Sequence, residues 1–278
     1  MILRECMKKM KMIREHSNIR EYVVPGTFGD NEVRVTSFPP KEPNGVQVVL
    51  LHGVHSSANM GENNKFRFLS ELLSGRGYAP WLVETSRKVR NRNDFSNDVP
   101  LWIREAFSGK TFAQEQQDVF NAISEISGEM PDRPIWIWGF SLGGIIALSA
   151  AADNIKRNAG EGSPLPERII LSGTGLVAYK EVEERMMSLP VLSTLRSEID
   201  TDMLAHVKAK GLISFRGSCD EIFSEESCLG VLREASIPES EKHYFVIEGA
   251  DHSFRSRYGK ADPGVMEEMV GLLARTWS

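Results

Sequence analysis

Gly139-Phe140-Ser141-Leu142-Gly143-Gly144 links the apolar run Pro134-Ile135-Trp136-Ile137-Trp138 to the helix-forming run Ile145-Ile146-Ala147-Leu148-Ser149-Ala150-Ala151-Ala152. A buried strand must therefore turn into a helix within a few residues. Glycines two before and two after Ser141 remove the side chains that would strike the neighbouring strand and helix in so sharp a turn. The turn forces the serine into a strained backbone conformation and exposes its hydroxyl at a helix N-terminus. There, unpaired amides and the helix dipole favour developing negative charge. This pattern predicts a nucleophile at Ser141. An alternative for the same residues is a plain strand-to-helix turn whose serine caps the helix.

Outward from this turn, strand signals recur at 20–24, 32–38, 46–51, 79–85, 134–140, 168–172, 211–216 and 243–247. From residue 46 onward, stretches with apolar residues at three-to-four spacing fall between them, at 65–73, 114–126, 141–154, 224–234 and 263–277. Alternating strands and helices predict an α/β fold: a mostly parallel sheet with helices on both faces, led by two antiparallel edge strands. Ligands of such sheets collect beyond the carboxyl ends of the strands.

Three strand ends carry the relevant chemistry. Leu51 is followed by His52-Gly53-Val54-His55. A His-Gly turn here swings the next amide toward the serine, so that the N–H groups of Val54 and Leu142 form an oxyanion hole, with His52 supporting the loop. His55 is a candidate substrate contact or a solvated loop residue. Past the strand at 211–216 lies Gly217-Ser218-Cys219-Asp220-Glu221, where Asp220 is placed to orient an imidazole. A helix-capping role also suits Asp220, and Glu221 is its nearest rival. The last strand leads into Gly249-Ala250-Asp251-His252, which puts His252 on a loop as the general base.

The order Ser141, Asp220, His252, with each residue at the end of a different strand, differs from both main serine-protease orders. At these residues the chain resembles the α/β-hydrolase superfamily. Within it, the resemblance is to single-domain esterases, lipases and acyl hydrolases of the monoglyceride-lipase-like or feruloyl-esterase-like kind. It covers about residue 46 to the C-terminus and implies a core sheet of about eight strands and hydrolysis through an acyl-enzyme. Two features depart from many relatives: Phe140 stands before the serine, and 84–92 replaces a Gly-rich, Asp-led loop.

With 278 residues, 41% hydrophobic and 26% charged, and with no linker-like stretch, the chain is expected to form one hydrolase domain over 20–278 preceded by a flexible segment over 1–19. Residues 176–210 exceed the length a parallel crossover needs. They are expected to form a small cap, a short lid between the strands at 168–172 and 211–216. Met186 and Met187 are its candidate substrate contacts, with a packed pair of crossover helices as the alternative.

The net charge of −5 gives no reason to expect a nucleic-acid partner, and no segment reaches membrane-spanning length. Cys6, Cys219 and Cys228 form no C-x-x-C pair. With a basic N-terminus that lacks a signal-length apolar core, this points to a reducing, cytoplasmic setting. Residues 86–111 carry Arg87, Lys88, Arg90, Arg92 and Arg104. A solvated, ion-paired loop is the expectation for this stretch, and a site for an anionic substrate is the alternative. The expected function is hydrolysis of small to medium carboxylic esters, with no metal or organic cofactor called for. The same machinery also serves thioesters and amides, and a non-catalytic receptor on the same fold is the rival from another class.

Overall fold

A single sheet runs in the order β1-β2-β3-β5-β4-β6-β7-β8-β9. Its strands are β1 (Lys11–His16), β2 (Ile19–Pro25), β3 (Glu32–Ser37), β4 (Gln47–Leu51), β5 (Ala79–Glu84), β6 (Ile135–Phe140), β7 (Arg168–Ser172), β8 (Gly211–Cys219) and β9 (Lys242–Asp251). The computed structural model describes residues 10–16, 19–54, 58–61, 64–96, 98–154, 164–186, 189–198, 202–255 and 262–277. The ladders joining β1, β2, β3 and β5 are antiparallel, and those from β5 through β4 and β6 to β9 are parallel.

Every residue of β4, β5 and β6 is buried, as both faces of a helix-covered parallel sheet require. Alternate residues of one strand serve opposite cores. Val49 and Leu51 belong to the cluster under α3 (Phe112–Glu129) and α4 (Leu142–Ser149). Val48 and Leu50 belong to the cluster under α1 (Lys65–Gly75) and α9 (Pro263–Thr276). The helices start where side chains can cap them. Asn64 accepts from the Phe66 amide, Thr111 and Gln114 form a reciprocal capping box, and Ser224 caps α8 (Glu225–Glu234).

The structure departs from the sequence expectations at three places. Lys11–His16, expected within a flexible segment, form the outermost strand. All six of its residues are exposed, so the strand carries no apolar alternation; it is held by its ladder to β2 and by the cross-strand pair Arg14–Glu21 at 4.0 Å. The second departure lies in the basic stretch, which contains a helix, α2 (Val99–Phe107), started by Asp98 and burying Trp102, Ile103, Ala106 and Phe107.

The third is the segment expected to form a lid. It holds the short helices α5 (Lys180–Met186), α6 (Pro190–Ser193) and α7 (Leu195–Glu198). Leu189, Val191, Leu192, Met203, Leu204 and Val207 are buried in the main core, and the Phe112 amide donates to Thr194 Oγ1 at 2.9 Å. This half of the segment is packed crossover, because its apolar side chains go into the core rather than over the site. No helix of the described residues is long and apolar enough to cross a membrane.

Candidate active site

Ser141, Gly173, Asp220 and His252 lie directly after β6, β7, β8 and β9, four neighbouring strands. Ser141 has φ 53° and ψ −117°, a region that residues with a side chain rarely occupy. The glycines make this possible. A Cβ on Gly139 would lie 2.3 Å from the Gly143 carbonyl, and one on Gly143 would lie 2.8 Å from the Leu51 and His52 oxygens. The Ser141 amide donates to the Ser172 carbonyl at 2.8 Å, and its side chain makes no hydrogen bond to the helix it precedes. The capping alternative is therefore excluded, and the hydroxyl stands half-buried at the start of α4.

Asp220 is buried, and both its carboxylate oxygens face His252 Nδ1, at 3.0 and 3.2 Å. The amides of Ile222 and Phe223 donate to Oδ1 at 2.8 and 3.1 Å. Burial opposes ionisation of this carboxyl, but the hydrogen bond and charge of His252 and the two amides outweigh it and hold its pKa below the usual value. The helix that follows is capped by Ser224, so Asp220 has no such duty.

The carboxylate fixes the imidazole with Nδ1 toward Asp220 and leaves Nε2 for other work. The ring is also flanked by Phe223, 5.7 Å away between centroids, and by Gly173, where a Cβ would lie 3.0 Å from Nδ1. Gly173 is thus needed for the close approach, and it directly follows the residue that anchors the Ser141 amide. Among the described residues no hydrogen bond joins the Ser141 hydroxyl to His252. The Asp220–His252 pair is the part of the expected constellation that hydrogen bonds join.

On the other side of Ser141 lies the turn after β4. A Cβ on Gly53 would sit 3.1 Å from Ser141 Cβ and 3.6 Å from its Oγ. Val54 and Leu142 are buried, and among the described residues their amides donate to no acceptor. His52 is buried behind this turn, and burial is the main force that lowers its pKa, to about 4, so the ring is neutral. His55 and Met187 lie outside the described residues, as does the side chain of Met186 at the end of α5.

Two features went unread in the sequence. Lys65 Nζ donates to the Ser253 carbonyl at 2.9 Å and stands 4.1 Å from the Phe140 ring centroid, which ties the His252 loop to the strand that presents Ser141. The only sequence signal for it was a lysine at the start of a helix. The second is the fate of the basic stretch. Arg87 and Lys110 are fully buried, not solvated. Lys110 pairs with Glu115 at 2.5 Å and Asp118 at 2.8 Å, while Arg90 pairs with Glu84 at 2.7 Å and Asp30 at 2.5 Å. Buried cations need such partners, and these come from β5, α3 and the turn before β3; of them only Asp30 is distant in sequence. Lys88 and Arg92 remain exposed. Cys219 is also exposed, whereas Cys228 is buried, with its thiol pushed up to about 12 by burial.

No family model and no curated protein matches the sequence. Solved structures do. An α/β serine hydrolase without lid from Xanthomonas campestris superposes at a TM-score of 0.60 with 16% identity, over 94% of each chain. A cold-adapted esterase from an Arctic intertidal metagenomic library reaches 0.61 with 17% identity, over 96% of this chain and 98% of that one. A dienelactone hydrolase from Anabaena variabilis reaches 0.56 with 18% identity, over 94% and 97%. With the strand order and the site at the carboxyl edge of β6 to β9, these likenesses settle the architecture: the chain has the α/β-hydrolase fold.

Proposed function

We propose that this protein is a serine hydrolase that cleaves carboxylic esters of small to medium acyl groups through an acyl-enzyme. The observation that carries this reading is the buried Asp220 bound to His252 Nδ1, at the same edge of the sheet as a serine held at positive φ at a helix N-terminus. Its support from outside the chain is that several proteins of the same fold are esterases or serine hydrolases by name.

In this mechanism His252 Nε2 takes the proton of Ser141 as Oγ attacks the ester carbonyl. The carbonyl π electrons move onto oxygen, and the amides of Val54 and Leu142 receive that oxyanion. Asp220 stabilises the imidazolium without itself taking the proton. Collapse breaks the bond to the alcohol, which leaves with the proton from His252, and Ser141 keeps the acyl group. A water deprotonated by His252 then attacks the acyl-enzyme, releases the carboxylic acid and returns the proton to Ser141.

The direct test is turnover of a short-chain p-nitrophenyl ester. Ser141→Ala is expected to lose several orders of magnitude in kcat while its circular dichroism stays that of the wild type. Retention of most of the rate by that variant would remove Ser141 from the mechanism. Thioesters and amides belong in the same panel, since the proposed chemistry acts on the acyl carbon in each case.

A further inference from the structure

The basic stretch after β5 has one member that reaches the candidate site from behind. Arg87 Nη2 lies 3.3 Å from His52 Nε2, and the Thr85 amide points at the same nitrogen from 3.4 Å. The other ring nitrogen, Nδ1, lies 2.9 Å from the Gly53 carbonyl oxygen. A carbonyl oxygen can only accept, so Nδ1 must carry a proton. A guanidinium and an amide can only donate, so Nε2 must be bare. The Thr85 hydroxyl gives its proton to Glu115 Oε1 at 2.9 Å, and its oxygen, 3.4 Å from Nε2, is an acceptor facing that nitrogen, against the two N–H donors of Arg87 and Thr85 and the Gly53 carbonyl on the other side of the ring. On balance the network favours the Nδ1-protonated tautomer of a buried, neutral imidazole.

The consequence lies in the next peptide. The Gly53 carbonyl and the Val54 N–H share one trans peptide plane and point in opposite directions. When His52 pulls the carbonyl inward, the Val54 amide is turned outward. Among the described residues that amide meets no acceptor, and the turn that carries it crowds Ser141.

We infer that Arg87 is a positioning residue for the oxyanion site: by donating to His52 Nε2 it fixes the imidazole tautomer that aims the Val54 N–H at the substrate oxygen. This inference rests on the proposed ester hydrolysis for its kinetic meaning, and on the network alone for the tautomer.

Arg87 is held for this task. Its guanidinium is fully buried, lies over the Phe107 ring at 5.1 Å and the Trp102 ring at 5.7 Å, and donates through Nε to the Thr85 carbonyl at 3.3 Å. Glu84 lies 3.6 Å from Nη1 and is shared with Arg90, which also grips Asp30. An arginine used this way cannot be replaced by a lysine without losing the planar fork that reaches the glutamate, the Thr85 carbonyl and the imidazole together.

The test has one arm that needs no variant. In the wild-type protein with ¹⁵N-labelled histidine, His52 at neutral pH is expected to show a protonated Nδ1 and an unprotonated Nε2. A protonated Nε2 would overturn the proposal whatever the enzyme does.

The second arm is kinetic. Arg87→Met is expected to lower kcat for a p-nitrophenyl ester by about tenfold or more, with KM within about twofold, because a misaimed oxyanion donor acts on the transition state alone. The same variant is expected to weaken a trifluoromethyl-ketone inhibitor by the factor lost from kcat/KM and to show mixed His52 tautomers, with Arg87→Lys only partly restoring both. A folded Arg87→Met protein with unchanged kcat, or one whose loss only follows its folded fraction, would refute the assignment. If the wild-type chain forms no adduct at Ser141 with a fluorophosphonate, the hydrolase reading fails instead, and the labelled-histidine arm still decides the tautomer.

Discussion

Asp220 and His252 show how much a single pair decides. The carboxylate is buried, yet the imidazole and two amides hold its pKa below the usual range. A group depressed in this way adds stability above its unfolded pKa, near 3.9, and loses it only as pH falls through the lower folded value. Asp220 therefore stays charged across the neutral range in which an imidazole works as a base. Asp220→Asn is expected to lower kcat by about 10³- to 10⁴-fold, since the amide no longer selects the working tautomer, and to lower the unfolding free energy at pH 7, since the ionised carboxylate's contribution is lost. Steady-state kinetics beside urea titration checks this, and an active Asn variant would remove Asp220 from the triad. The sequence singles out Ser141 because it follows an apolar run directly, and His252 because it lies on the loop just past the last strand. In the sequence Asp220 is the candidate and Glu221 its nearest rival, one residue away. In the structure β8 reaches Cys219, and Asp220 then accepts from the Ile222 and Phe223 amides while facing His252.

The turn from β6 into α4 is built on contacts that leave no room for a methyl group. A Cβ on Gly139 would meet backbone atoms of Gly143 and Gly144 at 2.3–2.4 Å, and backbone cannot swing aside as a side chain can. Gly139→Ala is expected to cost about 3 kcal/mol of stability and to abolish activity even in its folded fraction, because the turn can open only by releasing Ser141 from its strained conformation. Urea unfolding with residual-activity measurement reads both, and a stable, active variant would show that the turn has more room than the contacts imply. Elements were legible where their periodicity faces a core: the helices expected at 65–73 and 224–234 match α1 and α8 closely. β1 was not legible, because a strand exposed along its whole length shows no alternation. The basic stretch was misread because charged neighbours such as Arg87 with Glu84 and Lys110 with Glu115 and Asp118 look like solvated ion pairs by spacing, and only the folded chain takes them inside.

The fold couples its stability to pH through the same buried histidine that backs the candidate oxyanion turn. His52 titrates near 6.5 when unfolded and at about 4 in the fold, chiefly because burial disfavours the cation. Between these values the unfolded chain binds the extra proton, so the stability that neutral His52 allows is complete above about pH 6.5 and is lost as pH falls toward 4. The gap corresponds to about 3 kcal/mol. Urea unfolding at pH 7 and pH 4.5 is expected to show a loss of that order, and His52→Gln is expected to remove most of the pH dependence. An unchanged dependence in that variant would place the acid sensitivity elsewhere.

The parallel order of the sheet was readable from alternating strands and helices, and that order alone brings four strand ends together at one edge. The packing of residues 189–192 and 203–207 was not readable, since an apolar crossover and an apolar cap have the same composition. The most direct measurement on the central claim is mass spectrometry of the protein after reaction with a fluorophosphonate. A single adduct on Ser141, absent from Ser141→Ala and formed far more slowly in His252→Gln, is the expected result. An unmodified Ser141, or an adduct that forms as fast without His252, would contradict it.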